Sequence, residues 1–139
     1  MGTTRGMDMK AWRIILALST LAFLTQTAAA ADQKLVQLVD DIKEKASTTF
    51  MTAYVCQDAL GVTYYDAVRA YGENAFQKTG ASPKNTKFTF DVLENRFKDD
   101  KELVREKDVM KCVWITTEAN KLLHESETAL ADYTLSAKP

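Results

Sequence analysis

Residues 103–133 read LVREKDVMKCVWITTEANKLLHESETALADY, and the spacing of apolar side chains in this stretch decides the fold. Val109, Cys112, Val113, Thr116, Ala119, Leu122, Leu123, Ser126, Leu130 and Tyr133 recur at near-heptad intervals. A helix gathers such positions on one face, whereas a half-buried strand requires strict alternation. The spacing predicts a helix of about 20 residues or more, starting near Leu103 and fraying over 136–139. Trp114 is offset from the main stripe, and a wide core face accounts for it.

The preceding segments carry the same period. In Asp32–Leu60, the positions Leu35, Leu38, Val39, Ile42, Ala46, Phe50, Ala53, Val55 and Cys56 approximate one apolar stripe. Gly61 supplies a stop, although Ser47-Thr48-Thr49 are three poor helix formers in a row. A second helix is expected from Thr63, with Thr63-x-x-Asp66 resembling a capping box. Tyr64, Val68, Tyr71 and Ala75 form its apolar face, flanked by Tyr65 and Phe76, and Gly80 ends it. Ala81-Ser82-Pro83-Lys84-Asn85 has loop composition. Thr89 is expected to cap a short third helix carrying Val92, Leu93 and Phe97, followed by a charged hinge at Lys98–Lys101. Four helices with short links predict an all-α bundle as a single domain over 32–139.

The first thirty residues have a different layout. Arg5, Lys10 and Arg13 make a basic start, Ile14–Leu24 an apolar run, and Ala28-Ala29-Ala30-Ala31 a small-residue site before Asp32. This order predicts a secretory signal peptide over 1–31, cleaved after Ala30 or Ala31. The run is shorter than the roughly 20 residues needed to cross a bilayer. Removing 1–31 takes away three positive charges and one negative, which leaves 108 residues carrying −3. The expected location is the periplasm or the exterior, with no membrane span in the mature chain.

Charge and composition exclude several classes of function. Lys plus Arg number 18 against 19 Asp plus Glu, so there is no basic excess to neutralise a phosphate backbone. One His and two Cys cannot complete a closed zinc site. No Cys-x-x-Cys-His, Gly-rich phosphate loop or Gly-x-Ser-x-Gly elbow is present. The carboxylates at Asp40-Asp41, Asp99-Asp100, Glu125 and Glu127 sit in Lys-rich stretches, where a solvated face is the default. His124 lies three helical turns beyond Cys112, out of reach as its base. The reading is therefore of a protein without catalytic residues, metal or cofactor. In an oxidising compartment, Cys56 and Cys112 are expected to form one internal disulfide.

Aromatic residues crowd the region 54–76. Tyr64 and Tyr65 are adjacent and cannot both point inward on a helix, so one is a candidate interface anchor. The segment Tyr64–Phe76 and the loop Thr79–Lys87 are the expected contact surfaces, with Tyr65, Tyr71, Phe76, Pro83 and Lys84 as the partner-binding residues. Two stretches carry a family resemblance. Asp108-Val109-Met110-Lys111-Cys112-Val113, followed by a helix with spaced leucines, resembles the C-terminal part of periplasmic immunity proteins that neutralise type VI secretion amidases. Ala70-Tyr71-Gly72-Glu73-Asn74-Ala75-Phe76 is similar to an aromatic-glycine segment of the same family. The resemblance implies an exported inhibitor that occludes a cell-wall hydrolase, with self-association as a further expectation. A second resemblance is to small periplasmic acid-stress chaperones, through Cys56-Gln57-Asp58, a late second Cys and a charged helical tail.

Overall fold

The structure, a computed structural model, describes the backbone of residues 9–137 and the side chains of residues 30 and 32–137. Five helices follow in order: α1 (Met9–Val55), α2 (Gln57–Leu60), α3 (Val62–Gln77), α4 (Pro83–Asp99) and α5 (Val109–Ser136). The chain divides into two compact units, Met1–Val36 and Gln37–Pro139. In the first, the described side chains from Asp32 to Val36 are exposed. The expected signal peptide, residues 1–31, lies outside the described side chains apart from Ala30. The second unit is the helical bundle, and the all-α reading holds for it. Among the described residues, no helix is long and apolar enough to cross a membrane.

Direction within the bundle follows from side-chain pairs. Asp41 accepts from Ser126, the Thr49 hydroxyl donates to the Ala119 carbonyl at 3.1 Å, and Cys56 is bonded to Cys112. Ascending positions on α1 meet descending positions on α5, so the two are antiparallel. By the same logic α3 and α4 are antiparallel, with Arg69 reaching Glu94 and Asp91, and Gly72 facing Phe90. Tyr64 with Asn120 and Tyr71 with Glu127 place α3 parallel to α5.

The buried stripe of α5 is Cys112, Thr116, Ala119, Leu123, Ser126 and Leu130, spaced alternately by four and three. Its Leu123 and Leu130 share one core cluster with Ile42, Ala46, Phe50 and Ala53 of α1, and Ala119 accepts from the buried Thr49. Phe50 is the hub. Its ring lies 5.5 Å from Tyr65, 5.1 Å from Phe90 and 5.5 Å from Phe97, centroid to centroid. The Ser47-Thr48-Thr49 run remains helical because tertiary packing overrides weak propensity. Thr49 is buried with its hydroxyl satisfied, and Ser47 back-bonds to the Lys43 carbonyl.

Four boundaries differ from expectation. The first helix breaks at Cys56 (φ −92°, ψ 5°), where the disulfide departs, and resumes as the four-residue α2. Gly61, at φ 87°, caps α3, so Thr63 lies inside the helix and the Thr63–Asp66 capping box does not form. Helix α4 starts at Pro83, with the Ser82 hydroxyl accepting from the Asn85 N–H at 3.2 Å. Most of the expected loop is thus the first turn, with Pro at a position that needs no N–H donor. Thr89 is therefore mid-helix, donating to the Asn85 carbonyl. Finally α5 starts at Val109 rather than Leu103, capped by Asp108, which accepts from the Lys111 N–H at 2.9 Å.

Gly72 is a packing glycine. A Cβ there would stand 3.0 Å from Phe90 Cε1 and 3.2 Å from Cζ. Phe90 is fully buried and has little room to yield. Gly72→Ala should therefore destabilise by up to about 2 kcal/mol, the roughly 1–3 kcal/mol of overpacking less the roughly 1 kcal/mol that Ala gains over Gly in a helix. Urea denaturation of the pair checks the sign; a stabilised variant would show that Phe90 shifts freely.

Candidate binding face

The segment 100–108 connects α4 to α5 and is pinned to the end of α1. Arg105 Nη1 donates to the Tyr54 carbonyl at 2.6 Å and to Gln57 Oε1 at 2.8 Å, while its guanidinium lies 3.7 Å from the Tyr54 ring centroid. The Glu106 N–H donates to the Val55 carbonyl at 2.9 Å. These bonds satisfy carbonyls at the C-terminus of α1, which has no intrahelical partners for them. Glu106 also accepts from the Lys107 and Asp108 N–H groups and pairs with Lys111. The bond from Lys111, aided by those backbone N–H groups, holds its carboxyl down at about 2.

That carboxyl gives a pH dependence. Its folded value lies below the ordinary 4.5, so its contribution is complete above about pH 4.5 and is lost as pH falls towards about 2. Asp91, bonded to Arg69, and Glu94, bonded to Lys98 and facing Arg69, are depressed too and act in the same direction. Glu106→Gln should flatten part of this acid slope, read from urea midpoints across the range. An unchanged slope would remove Glu106 from the acid response.

The start of α5 turns apolar side chains outward. Met110 is 76% exposed and Trp114 67%, with Val109 and Val113 exposed beside them. At about 100° per residue, Trp114 falls nearly opposite Cys112 and the buried stripe. The expected wide core face is therefore not what α5 uses: Trp114 points to solvent. Val62, at the start of α3, and Val104, in the connection, are exposed as well. Phe88 of α4 and Leu135 of α5 are exposed too, but Met110 and Trp114 stand one turn apart on one side of α5, and large apolar side chains left in water together are the surface signature of a binding site.

The expected contact residues are distributed differently. Tyr65 is 5% exposed and stacks in the core against Phe50. Tyr71 is half-buried, donating to Glu127 at 2.8 Å; burial, with that bond, pushes its hydroxyl up to about 12. Phe76 is half-buried against the core, edge-on to Phe90. Pro83 and Lys84 are exposed at the start of α4. Cys56 and Cys112 form the expected bridge, with Cα atoms 5.6 Å apart.

Two polar clusters serve packing. Arg69 is held by Glu73 at 2.9 Å on its own helix and by Asp91 and Glu94 of α4, lying 5.6 Å above the Phe50 ring. Burial alone would lower its pKa, and the bonds to Glu73 and Asp91 raise it instead. Glu127, whose side chain is 8% exposed, joins Tyr71 of α3 and Lys78 at its C-terminal cap to α5. It borders a small apolar groove of about 210 Å³ with Ile42 and Leu130. Among the described residues, no group of three or more His, Cys, Asp or Glu is placed to hold a metal ion. Comparison with protein families, curated proteins and solved structures finds no match.

Proposed function

We propose that this chain is an exported, non-catalytic binding protein that occludes a cell-wall hydrolase in the periplasm, as an immunity protein against an amidase would. The observation that carries the reading is the outward Trp114–Met110 pair on a helix bonded through Cys112 to the rest of the bundle. A Trp kept in water on a fixed helix forgoes the burial that a ring of its size gains in a core. Docked in a partner's cleft, it regains that burial, and occlusion needs no chemistry from the inhibitor. Export, small size and the resemblance of Asp108–Val113 to amidase immunity proteins support the same reading.

The test is rescue from toxicity. Candidate small Cys/His cell-wall amidases are directed to the periplasm with and without the chain. Wild type should restore growth, and Trp114→Glu should not. Trp114→Glu should leave thermal stability within about 0.5 kcal/mol, because the side chain packs little in the free protein. No rescue by wild type would end the proposal, and equal rescue by both would move the contact elsewhere. A chain that instead keeps a client soluble at about pH 2–3 by exposing apolar surface would be an acid-stress chaperone.

A further inference from the structure

We propose that the Cys56–Cys112 bridge is what presents the Trp114 face, so that the chain binds its target as the disulfide and not as the dithiol; this rests on the reading of that face as the binding surface. Burial carries the inference. From Val109 to Trp114, the side chains of Val109, Met110, Lys111, Val113 and Trp114 are all exposed. Cys112 alone is buried, and its sulfur is bonded to Cys56 at the α1–α2 break. The next buried side chain is Thr116, whose hydroxyl bonds back to Cys112 and Val113 of its own helix. The first cross-helix polar anchor of α5 is the Ala119 carbonyl, which accepts from Thr49. The bridge is thus the one covalent attachment of the turns that carry the apolar face, beside the exposed Lys111–Glu106 pair and the Glu106 N–H bond to the Val55 carbonyl. Helix termini with few buried contacts open first. Without the bridge, these turns fray while the rest of α5 stays docked by Ala119, Leu123, Ser126 and Leu130.

Closing the bridge is thiol–disulfide exchange. The two thiols give up two protons and two electrons to a disulfide of the compartment, R–S–S–R, which leaves as two R–SH; an added dithiol reverses the step. The face is consequently unformed in a reducing compartment and appears where disulfides persist.

Amide hydrogen exchange tests this on the full chain. In the oxidised protein, amides 112–116 should be protected to an extent comparable with 119–123. In Cys56→Ser/Cys112→Ser, their protection should fall at least about 100-fold further than that of 119–130. Arg105→Gln, with the bridge intact, should keep 112–116 protected. Equal losses along α5, unfolding of the bridge-free chain as one unit, or the same fraying in Arg105→Gln would overturn the proposal. Binding to a small Cys/His cell-wall amidase that the oxidised chain inhibits should weaken at least about 10-fold without the bridge, since the face is no longer preorganised. Equal binding by both forms would also overturn it. If the oxidised chain binds no such amidase, the proposed function fails, while hydrogen exchange still decides the role of the bridge.

Discussion

Truncation of Phe50 to Ala is expected to cost about 3–5 kcal/mol, the range for a fully buried aromatic removed from a packed core. Phe50 is completely buried, and its ring contacts Tyr65 of α3 and both Phe90 and Phe97 of α4. It also lies beneath the Arg69 guanidinium, which holds α3 to α4. One side chain on α1 thus organises the packing of two other helices. A domain of this size has about 5–15 kcal/mol in total, so the variant should lose a large share of its stability. Urea denaturation followed by circular dichroism reads the loss. A cost below about 1 kcal/mol would mean that the three rings repack, and would contradict the hub assignment.

The second large effect is loss of the bridge. Cys56 and Cys112 are 56 positions apart, and both are fully buried. On the chain-entropy account, a loop of this length restrains the unfolded state by about 4 kcal/mol. Cys56→Ser/Cys112→Ser should lose about that much, and intact mass before and after reduction and alkylation should show the bridge in exported protein. The two effects have different origins. Phe50→Ala acts on folded-state packing, so its cost follows the cavity left behind; the Cys pair acts mainly on the freedom of the unfolded chain.

Much of the bundle was legible because helix packing writes a local period into the sequence. The alternation of four and three through Cys112, Thr116, Ala119, Leu123, Ser126 and Leu130 needs no knowledge of the partner helix. The bridge was legible from an even cysteine count and an export layout. The α4–α5 connection was not. Leu103 continues the apolar period, but Arg105 finds Tyr54 some 51 positions away, and that contact outweighs the local preference for helix. The start of α4 was missed for the opposite reason: Ser82-Pro83 has loop composition, yet the same two residues are a strong cap and first position.

The face proposed for binding was only half legible. An aromatic residue in a sequence carries no sign of inward or outward orientation, and Tyr65 and Phe76 joined the core that Phe50 and Phe90 begin. Trp114 could have been assigned from angle alone. It stands two positions from Cys112, and that offset on a helix points away from whatever Cys112 faces. Its neighbour Met110, one turn earlier, shares the direction, so two large apolar residues face water together.

The most direct measurement is a titration of isotope-labelled, oxidised chain with a small Cys/His cell-wall amidase, followed by backbone amide resonances. Shifts should concentrate at Val109–Trp114, while the core amides of 42–54 stay in place. Shifts centred on Thr79–Lys87, or none at saturating amidase, would contradict a binding surface built on Trp114.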